Sequence, residues 1–473
     1  MKDETTEHLK RDFRARDAFI IAFVFISPIV ALYAVFGLVL QAAGPAGWWT
    51  FVVVLCCQLL LAATLGVLVS RWPVEGGSYQ WARRLVSPTY GWATGWAYLW
   101  TLIIVLASGA FFVAGFIPPL LGIEPFGVAE QTIVALVVLA AVTGLNMMGP
   151  TALKIFTRFS LVCEAIGSVG LATVLLIWHR EQPLSVLTST GGASSGHYLW
   201  GGFIFAVGVV GFSFAGFESV CSMAEEIKDP EKHLPKVMIG AVLCIGAVVL
   251  YSSLALILAI PDLPAVILGQ VSDPAADTIV AALGPGFAKP FLALVVLGFV
   301  AAMLATQTSV SRVLWSFARD ESLPASRFLV KLSGRHNNPV RAVVAIGVLA
   351  AVVTVSAFSD HIYTTLVSGA TSGFFLTMSL VIAGLITSMA KREWRYGPVR
   401  LGRVTPLIAA AAGAWVAFQI VNLCWPRAEG EPWYVAWAVV IGMAAVAALG
   451  VAVRLFVRTP AETTAREPAL VAD

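Results

Sequence analysis

Two carboxylates stand deep inside hydrophobic runs of this chain. Glu218 lies near the end of the stretch GFSFAGFES (211–219), and Glu164 interrupts FTRFSLVCEAIGSVG (156–170). A charged side chain at membrane depth costs at least roughly 2.5 kcal/mol, so an intramembrane acid calls for a function or a specific partner. Acids so placed serve as proton relays in membrane transport, which makes both residues candidate proton carriers. The structural alternative is a neutral acid that bonds a backbone group left open by a helix break. At 1.5 Å of rise per residue, Glu218 lies about 10 Å from the inner end of its run, and Glu164 enters the neighbouring run to a similar depth. The spacing leaves these two as the ionisable side chains clearly inside any run, because all six histidines fall in tails or loops.

The backbone around them is interrupted. Residues 208–219, GVVGFSFAGFES, carry Gly208, Gly211 and Gly216, each costing about 1 kcal/mol in a helix interior. The first run carries the matching fault, FISPIVALYAVFG (25–37), in which Pro28 removes a backbone donor and drives Ser27 away from helical geometry. Pairs of broken helices near the bilayer midplane mark the binding sites of secondary transporters. Ser27 and Pro28 in the first run and Gly211 in the sixth therefore enter the candidate substrate site. Free amides at such breaks suit an anion and free carbonyls suit an ammonium, so a zwitterion such as an amino acid uses both, and an amine uses half.

What must position these residues is a membrane bundle. The 473 residues are 59% hydrophobic and 12% charged, against roughly 45–50% and 25% in soluble domains; mean hydropathy is +0.86. Runs long enough to cross about 30 Å of hydrocarbon recur near 18–40, 48–70, 92–116, 130–148, 159–178, 201–224, 237–260, 290–311, 341–358, 362–388, 405–425 and 434–457. With the amino terminus inside, 27 of the 30 Lys and Arg residues fall on cytoplasmic segments, leaving Arg180, Lys289 and Arg427 outside. The expected layout is an all-α integral membrane protein of twelve helices. A cytoplasmic tail (1–17) precedes five helices (18–178) and five more (201–388). Helices 11 and 12 (405–457) and a disordered cytoplasmic tail (458–473) follow. The loop 261–289 is expected to form short helices over the outer mouth.

The composition also excludes functions. A net charge of +3 with no basic and aromatic patterning argues against a nucleic-acid partner. The six cysteines show no CxxC spacing, so neither a zinc site nor a disulfide framework is expected. No HExxH and no pairing of a nucleophile with histidine appears, which argues against an enzyme. A channel would need a continuous polar stripe. A sensor lacking net transport, built on a transporter's fold, is the remaining alternative; it would carry a long signalling domain, and both tails are short.

Three stretches resemble the amino acid–polyamine–organocation permease superfamily, and the resemblance spans nearly the whole chain. PVEGGSYQWARRLVSPTYGWATGWAYLW (73–100) looks like that family's junction of helices 2 and 3, GFESVCSMAEEIKDPEKHLPK (216–236) like its helix 6 and following loop, and SRVLWSFARDESLP (311–324) like its helix 8 exit. The pattern leans toward the amino acid/choline branch. The resemblance implies a five-plus-five inverted repeat (LeuT-like) with helices 1 and 6 unwound, and secondary active transport by alternating access. The expected location is the plasma membrane, which is the inner membrane on the assumption of a bacterial source. It implies an amino acid, polyamine, choline-like or other amine as substrate, and no cofactor beyond a proton or sodium gradient.

By position, Phe212 resembles the aromatic gate. The backbone of Phe212, Ser213, Phe214 and Ala215 resembles the amino-group site, and that of Val30, Ala31, Leu32, Tyr33 and Ala34 the carboxylate site. Glu218 matches the family's helix 6 acid, and Glu164 falls where proton-coupled relatives place a lysine. A sodium ion near Ser309 or Ser311 is a further implied option. Bulky residues replace the usual glycines at 30–34, and an acid at 164 cannot imitate a lysine. EEIKDP (225–230) reads as a hinge and gate region, and Arg83 and Arg84 as anchors at the inner face.

Overall fold

The computed structural model of the chain describes residues 13–124, 126–191, 198–271, 273–333, 338–356, 362–399, 402–426 and 432–456. The tail 458–473, most of the tail 1–17, and Arg335, Arg400 and Arg427 of the loops lie outside the described residues. Among the described residues, eleven helices are long and apolar enough to cross a membrane, from Ala15–Tyr33 to Ala438–Leu455. A further apolar helix, Val340–Ser356, is slightly shorter. Counted with it, the helices follow the order of the twelve hydropathic runs. The protein is therefore a multi-pass membrane protein. Several spans outrun the hydropathic estimate, such as Pro88–Leu121 against 92–116 and Lys289–Arg319 against 290–311. Helical hydrogen bonding continues past the apolar stretch that hydropathy detects.

Burial sorts the spans into an inner and an outer set. The first, third, sixth and eighth spans (Ala15–Tyr33, Pro88–Leu121, Leu199–Glu226, Lys289–Arg319) bury 83%, 67%, 72% and 72% of their apolar windows, against 6% for the last. The site is therefore to be sought among those four. The third span packs on the eighth and tenth (Leu366–Ala390), and the seventh (Pro230–Ala259) on the second (Pro45–Arg71).

Both interruptions expected from the sequence are present. The first span is helical over Ala15–Ile26 and again over Pro28–Tyr33, with Ser27 between them at φ 51°. Proline opens the second piece because its missing N–H would have had no partner there. The sixth span is helical over Ile204–Val210, tightens to a 3-10 turn over Gly211–Phe214, and is extended at Ala215. Gly216 turns the chain at φ 103° before a 3-10 stretch, Phe217–Glu226. The fifth span (Leu153–Trp178) carries a wide π-turn over Ala165–Gly170 immediately after Glu164. Widenings of this kind are rare and are found frequently at functional sites. In the 261–289 loop, Leu263–Ile267 and Pro274–Leu283 form short helices, the second capped by Asp273.

Gly216 occupies a backbone region that favours glycine, and an added Cβ would overlap the Phe25 ring of the first span. Gly216→Ala is expected to destabilise the protein by at least roughly 2 kcal/mol. A melting temperature in detergent equal to wild type would contradict this.

Candidate functional site

A cavity opens where the two breaks face each other. Its walls include Phe25, Ile26 and Val30 from the first span and Phe212, Ala215, Gly216 and Glu218 from the sixth. The third span adds Thr101, Leu102, Val105, Ser108 and Phe112; the eighth adds Phe299, Met303 and Thr306; the tenth adds Phe374. The lining is mainly apolar and aromatic. Glu218 is 2% exposed; Tyr98 donates its hydroxyl to Oε1 at 2.9 Å, and Oε2 has no hydrogen-bond partner.

Glu164 sits at the other break. Ser27 donates its hydroxyl to Oε1, and the Ile29 amide donates to Oε2 at 3.0 Å. The Ser27 oxygen in turn accepts from the Val30 amide at 3.1 Å. Amides that open the second piece of the first span are thus held by this chain's own side chains. Gly298 on the eighth span makes room, since a Cβ there would lie 3.2 Å from Glu164 Oε1.

The other residues singled out from sequence divide into groups. Val30, Phe212 and Ala215 line the central cavity, whereas Pro28, Leu32 and Tyr33 line a second hollow with Gly167, Ser168 and Leu171 of the fifth span. The Ser213 hydroxyl donates to the Ala31 carbonyl at 2.5 Å, tying the two breaks together. Ala34 and Phe214 are buried among apolar neighbours. Gly211 lies against Phe375 and Gln419, which a Cβ would crowd. The Ser309 hydroxyl donates to the Ser219 carbonyl at 3.2 Å and that of Ser311 to Thr308 at 2.8 Å.

A charged network closes the end of the bundle beneath the cavity. Arg312 and Glu226 form an ion pair of 2.9 Å with side chains only 2% and 4% exposed. Arg319 pairs with Glu225 at 3.1 Å, and Arg83 with Asp320, which also accepts from Tyr79 and Gln80. Backbone bonds join Phe13 to Glu226 and Lys228, and Asp17 pairs with Arg158 at 2.7 Å. Arg83, Glu225 and Glu226, drawn from the expected anchors and gate, are thus brought together here.

Sequence reasoning missed several of these groups. It counted only Glu164 and Glu218 inside the spans; the observed helix limits also enclose Asp17, Glu226 and Arg312, all buried near the span ends. It passed over Glu75, within the quoted PVEGG, which is fully buried with neither carboxyl oxygen bonded. An acid beside two glycines in a short link between spans was the available signal. Nothing in the sequence pointed to Tyr98 as the partner of Glu218.

Residues 18–446 match the amino acid permease family. The chain belongs to that family. The permease is 24% identical over 448 residues to the amino-acid permease BAT1 homolog of Oryza sativa subsp. japonica, covering 87% of this chain and 84% of the relative. It is 26% identical over 461 residues to the GABA-specific permease of Saccharomyces cerevisiae, covering 89% and 77%. Over 303 residues it is 25% identical to a low-affinity putrescine importer of Escherichia coli, covering 62% and 63%. The permease is thus a membrane transporter and not an enzyme.

Two outcomes are expected at the charged end. Arg312→Met strands Glu226 in a buried setting and should cost about 3–5 kcal/mol, read as a lower melting temperature; a melting temperature equal to wild type would contradict it. Burial first, then the Glu226 and Glu225 charges, push the Glu75 carboxyl well above the usual carboxylate range, against Arg312 and Arg319. Its neutral form therefore favours the folded state, and that contribution declines as pH rises from the usual carboxylate range toward the raised value. Glu75→Gln should flatten this decline in melting curves taken from pH 5 to 8.5; an unchanged slope would show that Glu75 is not its source.

Proposed function

We propose that this permease is a secondary active transporter that moves an amino acid or related amine by alternating access, energised by protons through symport or exchange. The observation that carries the reading is the Glu218 carboxyl, buried beside the sixth-span break with one oxygen unpartnered at the cavity wall. A carboxyl in that position can take up a proton or an ammonium, and its occupancy can be felt by the two broken helices that flank it. Glu164 is the second proton-carrying candidate, bonded across the first-span break. The names of the relatives, which include GABA and putrescine, support a small amine-bearing substrate.

The two breaks would stand at equivalent places in two inverted five-helix repeats, 18–178 and 201–388, with the charged network as the cytoplasmic gate. With that orientation both termini would lie in the cytoplasm, and the plasma membrane is the proposed location. Phe212, half-buried at the cavity wall, would close over substrate from outside. A proton is preferred to sodium because the Ser311 oxygen already accepts from the Arg312 guanidinium at 3.2 Å, whereas two buried carboxyls stand at the breaks.

Uptake of a radiolabelled panel of amino acids and amines into proteoliposomes tests the reading. Saturable uptake of at least one compound, driven by an imposed proton gradient and indifferent to sodium, is expected. No saturable uptake of any compound would overturn it. Glu218→Gln and Glu164→Gln are then compared separately, and at least one should lose the pH-gradient dependence. If both variants keep it, the proton-carrier assignment is wrong.

A further inference from the structure

The polar side chains at the cavity wall share one property: each presents lone pairs. The Thr101 hydroxyl donates to the Ala97 carbonyl at 2.7 Å, Ser108 to Val105 at 2.9 Å, and Thr306 to Ala302 at 2.8 Å. A hydroxyl has a single proton, so these three keep only acceptor capacity for a ligand. Glu218 in its ionised form is acceptor-only, with Oε2 unpartnered. The lining contains no Lys, Arg or His. The Ile29 and Val30 amides, which an anion at the first-span break would need, are bonded to Glu164 and Ser27. A carboxylate entering this space would meet acceptors at the side-chain positions and lie beside the Glu218 carboxyl.

An ammonium reverses each of these relations, because its three N–H groups are all donors. Around the one acid, Phe25, Phe112, Phe212, Phe299, Phe374 and Met303 leave an apolar enclosure. This suits a hydrocarbon or aromatic body and lacks a second acid for a second ammonium, whose desolvation would go uncompensated.

We infer that the substrate is a primary monoamine with an apolar or aromatic body and no carboxylate, its ammonium on Glu218, and that Glu164 selects against amino acids by occupying the first-span amides. This rests on the transport reading above and narrows it.

Matched pairs test it: 2-phenylethylamine against phenylalanine, 3-methylbutylamine against leucine, and pentylamine against 1,5-diaminopentane. Half-saturating concentrations are measured by uptake into proteoliposomes and by thermal stabilisation of the purified full chain. In each pair the monoamine is expected to be favoured at least tenfold. Equal or better uptake of the amino acids or of the diamine overturns the inference while leaving a transporter. No uptake of any compound in the wider panel overturns the transport reading and the inference with it.

Glu218→Gln should weaken the monoamines at least tenfold in the stabilisation assay; unchanged binding would remove the ammonium from that residue. Glu164→Ala frees the Ile29 amide and should narrow the amine-to-amino-acid preference at least threefold, whereas an unchanged ratio in a folded variant overturns the role given to Glu164. Should that variant fail to fold, the wild-type ratios decide.

Discussion

The contact between Glu164 and the break in the first span sets the terms for the rest of the site. A helix interrupted inside a bilayer leaves backbone amides with no water to satisfy them, and each such group costs several kcal/mol if left alone. Here the fifth span supplies the missing acceptor, and Ser27 serves as both donor and acceptor between the acid and the new helix start. The π-turn after Glu164 and the absence of a side chain at Gly298 belong to the same arrangement. Carboxyl and break stabilise one another, since each would be unsatisfied without its partner.

The sixth span solves the same problem differently. Its break rests on Gly216 in a left-handed conformation, on the Ser213 hydroxyl bonded across to Ala31, and on Tyr98 holding one oxygen of Glu218. One oxygen is left over. The two acids that appear equivalent in the sequence are therefore unequal in the fold: Glu164 is bonded through both oxygens, whereas one oxygen of Glu218 has no hydrogen-bond partner.

Much of this was legible beforehand because the cues were local. Pro28, Gly216 and the two acids stand out against apolar runs, and the order of the runs foretold the order of the helices. The resemblance in residues 216–236 pointed to the family that the comparison then showed. What stayed hidden depended on partners distant in sequence. Ser27 meets Glu164 across 137 residues and Tyr98 meets Glu218 across 120, and neither pairing has a signature in spacing. Pro28, Leu32 and Tyr33 turn toward the fifth span and away from the central cavity, because the face a short helix presents is set by its neighbours. Glu75 was overlooked since a short link between spans ordinarily lies in water, and only packing against the sixth and eighth spans buries it.

The backbone bonds of Phe13 have a mechanical consequence. Phe13 precedes the first half of the first span, and its amide and carbonyl are joined to Glu226, the last residue of the second half of the sixth, and to Lys228 just beyond it. Two short rods that begin at Ser27 and Gly216 are thereby bolted to each other at their far ends. A pair joined in this way would move as one lever on two pivots, so that a push delivered to either rod at the cavity would be shared by both.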